Sequence, residues 1–215
     1  MDKKKTIYIM TYCEYLRTGM QSLISTPDIS LNFIKNIDEV VITDDTPLTL
    51  LLVLDMSGCV SLKNFKAAVD FLTQINSPKR VGVMVSQYNS YLSHYISRKF
   101  RGKVTFFNAH NLRSGLFQRN FLSWLKGKTF RPMRVVARYR DSHYCFSLKE
   151  WISLVIPLSG ETMQEMSDCM KIPVHTLYQI RQKALKKTGV SSYRQFCEMF
   201  INGEIRTEND SITRR

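Results

Sequence analysis

Residues 167–190 read SDCMKIPVHTLYQIRQKALKKTGV, and the spacing of their apolar positions decides the fold of the C-terminal third. Met170, Ile172, Leu177, Ile180, Ala184 and Leu185 fit two helices with a tight break between them. From Leu177 onward the steps are three, four and one, a helical stripe. The opposite face carries His175, Tyr178, Gln179, Arg181, Gln182, Lys183, Lys186 and Lys187. One side is therefore fit for a core and the other is a row of hydrogen-bond donors, as a helix entering a major groove requires. A solvated basic face is the competing reading of such a charge run. The short helix before it, the tight break and Gly189 as a stop signal favour a helix-turn-helix.

Upstream, Ser147 and Glu150 form an S-x-x-E capping box, which satisfies free N–H groups at a helix start. Pro157 predicts an end or kink in the helix that follows. Downstream, Tyr193, Phe196, Cys197 and Phe200 recur at helical spacing. Core packing and subunit pairing both account for them. Residues 204–215 are polar and are expected to fray.

These residues resemble the C-terminal DNA-binding domain of the LuxR/NarL regulators. The match runs through Glu165-Met166-Ser167, Met170, Ile172, Thr176-Leu177, Lys187 and Gly189-Val190, with Phe146 to Glu150 similar to the family's opening. Pro173 stands where the family uses a capping serine, Ile180 replaces a histidine and Thr188 a leucine. The resemblance implies a four-helix domain whose partner is double-stranded DNA. It places Tyr178, Gln179 and Gln182 against base edges, and His175, Thr176, Arg181, Lys183, Lys186 and Lys187 against phosphates. It also implies pairing through the last helix, with Tyr193, Phe196, Cys197 and Phe200 as dimerisation candidates.

The N-terminal part has a different pattern. Short apolar runs at 6–10, 29–34, 48–54, 80–85 and 103–107 read as strands. Helical patterns lie between them at 14–25, 62–75 and 90–98, with a short helix or loop near 38–43 and a final helix at 112–125. Strands alternating with helices predict a parallel α/β sheet. The nearly continuous LTLLLVL at 48–54 suits a central strand covered on both faces. The fold class expected for the whole chain is α/β plus all-α. Residues 1–126 form the first domain, 127–144 a basic linker, 145–203 the helix-turn-helix domain and 204–215 the tail.

The strand order resembles a response-regulator receiver, a flavodoxin-like domain. Receivers end their first strand with two acidic metal ligands. Here Thr11 and Tyr12 stand in those positions, and neither is a hard carboxylate ligand. Asp55 matches the phosphate-accepting aspartate and Ser86 the switch hydroxyl, while Asn108, Ala109 and His110 occupy the region of the expected lysine. The pocket reads as degenerate, a pseudo-receiver that works without phosphorylation; a structural strand-end role suffices for Asp55. The pattern Cys13-x-Tyr15-x-Arg17-x-Gly19 and the run MSDCMKI at 166–172 resemble the RcsA/BglJ-type auxiliary regulators of enterobacteria. That likeness implies a homodimer or a heterodimer with a response regulator such as RcsB.

Charge divides the chain unevenly. The net charge is +13, yet residues 71–140 contain 14 Lys/Arg and no acidic residue, so this segment carries essentially all the excess. A polyanion is its natural partner. The alternative, from another class, is an interaction adaptor that controls an acidic partner regulator with little DNA contact. Arg98, Lys99 and Arg113 are expected at the surface, where they would repel a second copy and attract an acidic partner. Aromatic residues from Tyr88 to Trp124 interleave with these charges, as in single-strand binders, but their spacing favours core burial.

Several functions are excluded by what the sequence lacks. There is no apolar run of 18 residues and no signal-peptide pattern, so a soluble, cytoplasmic protein is expected. Five widely spaced cysteines without a C-x-x-C suit reduced thiols. His94, His110, His143 and His175 show no metal-ligand spacing, and His143 with Cys145 is an incidental pair. No hydrolase, P-loop or dinucleotide motif appears. No enzyme activity, metal or cofactor is expected.

Overall fold

A computed structural model describes residues 4–42, 47–75, 79–135 and 146–215. The chain divides into two compact units that do not follow chain order. The first comprises residues 1–54, 67–87 and 102–134; the second comprises 55–66, 88–101 and 135–215.

The first unit is built on five parallel strands, β1 (Lys5–Met10), β2 (Ile29–Ile34), β3 (Leu48–Val53), β4 (Lys79–Val85) and β5 (Val104–Asn108). Their order is β2-β1-β3-β4-β5, the doubly wound order of flavodoxin-like sheets. Each strand end therefore lies where the alternation of apolar runs predicts, to within a residue. On one face Ile7, Ile9, Leu51, Met84 and Phe107 pack with Met20 of α1 (Glu14–Leu23) and with Phe117, Phe121 and Trp124 of α4 (Leu116–Leu125). Leu50, Leu52, Val83 and Val85 alternate to the other face and are buried as well. Burial on both faces is why these strands read as continuous apolar runs.

Phe107 is the centre of the aromatic cluster, with ring centroids 5.4 Å from Trp124, 5.7 Å from Phe117 and 5.9 Å from Phe121. Gly82 lies beneath it. A Cβ there would stand 2.9 Å from both Leu51 Cδ1 and Phe107 Cε2, so the strand has room for hydrogen only.

Two sequence expectations need correction in this unit. The helix expected at 112–125 is broken: a 3₁₀ segment, Ala109–Ser114, precedes α4, and Gly115 joins them at φ 68°. Glycine enters that left-handed conformation without the Cβ clash that other residues meet. The basic linker expected from 127 also starts later. The Phe130 ring stacks on Phe107 at 5.7 Å, and Met133 N donates to Phe106 O at 3.1 Å. An aromatic residue and a sheet-edge hydrogen bond fix residues that composition alone assigns to a flexible tether. Residues 136–144 of that linker lie outside the described residues, as do His143 and Cys145.

A few of the basic residues make their bonds within the molecule. Arg80 Nη1 donates to Trp124 O at 2.8 Å and Leu125 O at 2.6 Å, and Lys5 Nζ donates to Leu125 O at 3.0 Å. Cations at a helix C-terminus satisfy its last carbonyls and oppose its dipole. Lys79 Nζ does the same for α2 (Cys59–Gln74), donating to Leu72 O and Ile75 O.

The second unit contains α3 (Ser90–Lys99), α5 (Leu148–Val155), α6 (Met163–Met170), α7 (Val174–Thr188), α8 (Tyr193–Ile201) and a hairpin, β6 (Ile205–Glu208) with β7 (Ser211–Arg214). Ser147 and Glu150 form the expected capping box at α5, and after Val155 the chain tightens into a 3₁₀ turn containing Pro157. Trp151 is fully buried and meets Tyr91 of α3 edge-on at 6.0 Å.

The tail expected to fray is the hairpin. Its two-residue turn holds Asn209 at φ 54°, a conformation asparagine tolerates better than most residues. Ile205 and Thr207 are buried, and Thr207 Oγ1 donates to Met56 O. Asp210, at the tip, accepts from Ser90 N at 3.1 Å, from Tyr91 N at 2.8 Å and from the Ser90 hydroxyl. Asn89 precedes α3 without a side-chain cap. Asp210, 120 residues further on, supplies the missing acceptor for the orphan amides of that helix start.

Candidate nucleic-acid interface

The helix-turn-helix is α6, the turn 171–173 and α7. Thr162 and Glu165 form a capping box at the start of α6. Burial opposes the ionisation of Glu165, but the Thr162 backbone N–H, the Lys66 ammonium and the Thr162 hydroxyl hold its carboxyl down to about 2. Lys66 Nζ lies 2.9 Å from it. Lys171 ends the helix at φ 57°, its N–H and that of Ile172 both donating to Ser167 O. Pro173 then opens α7 with fixed φ and no side-chain cap. The first N–H groups of α7 are therefore open at the end that carries His175 and Thr176, the positive end of the helix dipole. Gly189 closes α7 at φ 71°, with Val190 N donating to Leu185 O and the Val190 side chain buried.

Of the predicted α7 stripe, Ile180 is half-buried and the other three residues pack as the spacing predicts. Leu177, Ala184 and Leu185 are buried, and α7 lies against α5. His175, Tyr178, Gln179, Gln182, Lys183 and Lys186 are exposed on the other side, while Thr176 is half-buried. Tyr178 is 45% exposed, enough to present its ring edge and hydroxyl.

Two of the cations assigned to phosphates are differently placed. The Arg181 guanidinium lies between two tyrosines, 4.8 Å from the Tyr178 ring and 4.3 Å from the Tyr193 ring, with Nη1 3.7 Å from Met163 Sδ. Stacking fixes its orientation at low entropic cost, as guanidinium planarity allows. Lys187 forms a 2.8 Å ion pair with Glu150. Burial works against the Glu150 charge, yet Lys187 and Ser147 hold its carboxyl below the ordinary range. Lys183 and Lys186 are the cations of α7 left facing solvent without an ion pair among the described residues.

The dimerisation candidates on α8 also separate. Phe196 and Phe200 are in the core. Tyr193 stacks on Phe196 at 6.0 Å and donates to Leu154 O at 3.1 Å, and Cys197 is half-buried. Helical spacing put all four on one face, but that face is the inner one. The exposed side of α8 carries Arg194, Gln195, Glu198 and Ile201, the last 69% exposed.

Sequence reading missed the residues that brace α6. Arg98, expected at the surface, donates from Nε to Cys169 O at 3.3 Å and from Nη2 to Met170 O at 3.2 Å, capping the C-terminus of α6. Lys99, also expected at the surface, pairs with Glu161. Glu161 is buried, and it further meets Lys66 at 3.0 Å and the Tyr95 hydroxyl at 2.7 Å. That carboxylate is matched by two cations and a hydroxyl, the condition for keeping a charge out of water. The Thr162–Glu165 box was readable by the rule that finds Ser147–Glu150. Nothing local marks Glu161 or Arg98, whose partners lie 60 to 100 residues away.

The degenerate receiver positions are placed as follows. Thr11 is buried at the end of β1 with its hydroxyl oxygen accepting from Cys13 N, and Tyr12 is 46% exposed. Ser86 Oγ lies 3.2 Å from His110 Nε2. Asn108 Oδ1 accepts from His110 N and its amide donates to Gln87. Asp55 opens the second unit, where its carboxylate accepts from Ser57 N in a local turn.

No protein-family model and no curated protein sequence matches the chain. Among solved structures it is similar to the RcsB response regulator of Salmonella typhimurium, at 18% identity and a TM-score of 0.39, over 92% of this chain and 98% of that one. A structure of two RcsB dimers bound to two parallel DNAs aligns at 14% identity and 0.46, over 91% and 97%. Full-length FixJ from B. japonicum aligns at 10% and 0.39, over 92% and 96%. Among the described residues no helix is long and apolar enough to cross a membrane.

Proposed function

We propose that the chain is a sequence-specific, double-stranded-DNA-binding transcription regulator. The observation that carries this is the exposed face of α7. Tyr178, Gln179 and Gln182 project from a helix that Gly189 closes at its C-terminus, that is buried on its other side and that follows a three-residue turn. Glutamine pairs bidentately with adenine in the major groove, so Gln179 and Gln182 read bases. Lys183, Lys186 and the open N-terminus of α7 neutralise phosphates, and the stacked Arg181 orients Tyr178 as well as offering its own charge. The test is a competition titration against a selected site and random DNA. Gln179→Ala or Gln182→Ala costs about 1–3 kcal/mol on the site and little on random DNA. Lys183→Ala weakens both and lowers the salt slope by about one unit. Equal losses on both DNAs for the glutamine variants would remove the base-reading role.

Regulation in this reading is independent of phosphorylation, with pairing to itself or to a response regulator. Its support is chemical: Thr11 and Tyr12 offer no carboxylate for the hard divalent cation that phosphoryl transfer needs. Asp55→Ala leaves target-gene output near wild type. An acid-labile phosphate on Asp55, formed from a small phosphodonor with Mg²⁺, would overturn this.

A further inference from the structure

The first unit contains an open cleft of about 490 Å³ that the DNA-binding reading does not use. Its floor is the edge strand β5, one wall is α4, and the other wall is the segment 129–133, held to the strand by Met133 N donating to Phe106 O. The lining is divided by chemistry. Deep in the cleft are Phe106, Phe107, Phe117 and Phe130, the last stacked on Phe107 with 12° between ring planes. At the mouth are Arg119 and Arg131, both exposed and without an ion pair among the described residues, beside the amides of Asn111 and Asn120.

No carboxylate lines the cleft, and residues 71–140 contain none. Two exposed arginines therefore rim an aromatic-lined cleft that holds no carboxylate. Arg80 and Lys79 of the same unit are instead matched to helix carbonyls. A cavity of this size lies in the range that takes a small organic molecule, with an apolar interior and a few polar groups to fix orientation. Arginine forks match a carboxylate with two parallel hydrogen bonds, and phenylalanine rings favour a flat body laid against them.

We propose that this cleft binds a small flat organic anion, an aryl carboxylate or its like, with the ring against Phe130 and the charge on Arg119 and Arg131. Bound there, it ties α4 to the segment that leads out of the first unit. The proposal is independent of whether α7 reads DNA.

The test uses the full chain and isothermal titration with three probes: 2-naphthoate, its neutral analogue 2-naphthamide, and inorganic phosphate. Saturable one-to-one binding of 2-naphthoate is expected, with 2-naphthamide and phosphate each weaker by roughly tenfold or more, the loss set by one or two charge-assisted hydrogen bonds. Arg119→Gln with Arg131→Gln, both at exposed positions, reduces 2-naphthoate binding to the level of the amide. Ser123→Trp fills the cleft and abolishes it; Thr129→Trp does the same from the opposite wall if the first variant fails to fold. Amide chemical shifts of Asn111 and Asn120 move on titration. No saturable binding at millimolar 2-naphthoate, equal affinity for the neutral analogue, equal affinity for phosphate, or retained binding in the arginine double variant would each overturn the proposal.

Discussion

Replacing Asp210 by alanine removes the only side-chain cap that α3 receives among the described residues. Asp210 is 8% exposed, and its carboxylate accepts two backbone amides and a hydroxyl. Loss of an N-cap costs about 0.5–2 kcal/mol. Leaving buried donors without an acceptor costs about 1–3 kcal/mol, and a favourable dipole contact with a partly buried carboxylate adds up to about 2 kcal/mol. These effects describe one cap and overlap, so a total of about 2–4 kcal/mol follows for Asp210→Ala. Asp210→Asn keeps an acceptor oxygen and loses the charge; about half that cost is expected. Urea unfolding followed by the fluorescence of Trp151, in a Trp124→Phe background, reads the second unit alone. The midpoint falls with the m value unchanged, and Ser90 and Tyr91 amides lose exchange protection first. A change within about 0.5 kcal/mol for the alanine variant, the ordinary scale of a surface substitution, would refute the role of the hairpin as a cap.

Other perturbations follow from the same packing. Gly82→Ala forces a methyl against Leu51 and Phe107, and costs about 1–3 kcal/mol; thermal unfolding of the first unit checks it, and a neutral outcome contradicts the close approach. Glu165 has its folded-state pKa lowered to about 2 from an ordinary 4.5. Its contribution is present above the unfolded value and is lost as pH falls through the folded one. The unfolding midpoint of the second unit therefore drops between about pH 4.5 and pH 2, and Glu165→Gln shallows that drop. Its partial exposure to solvent keeps the effect modest. An identical acid profile in the variant would remove Glu165 from the linkage.

The parts of the fold that were legible in the sequence are those whose cause is local. The stripe Leu177, Ala184, Leu185 and the stop at Gly189 specify α7 by themselves, and the Ser147 box specifies the start of α5. Burial on both sheet faces leaves its mark directly in the apolar run of β3. What stayed hidden depends on distant partners. Residues 204–215 read as a free polar tail because Thr207 and Asp210 make their bonds to Met56, Ser90 and Tyr91, far off in the chain. Arg98 and Lys99 read as surface charge until Met170 and Glu161 are brought to them. Phe196 and Phe200 have the right spacing for a pairing face, and spacing does not say which side of a helix is inside. On α7, the exposed glutamines were legible from the helical wheel, whereas the tyrosine sandwich around Arg181 needed α8 in place.

The cap on α3 also has a consequence in time. Protein synthesis at roughly 5–20 residues per second separates Ser90 from Asp210 by roughly 6–24 s, since they stand 120 positions apart. Strand β5 and helix α4 leave the ribosome in that interval, which completes the five-stranded sheet. Helix α3 leaves early too, but with its first amides unmatched and with Tyr91 and Tyr95 lacking the Trp151 and Glu161 that later enclose them. Loop closure over such a distance is slow relative to local structure. A nascent chain halted before residue 151 thus carries all five strands and an α3 still waiting for its cap, with two tyrosines open to any chaperone that binds apolar surface.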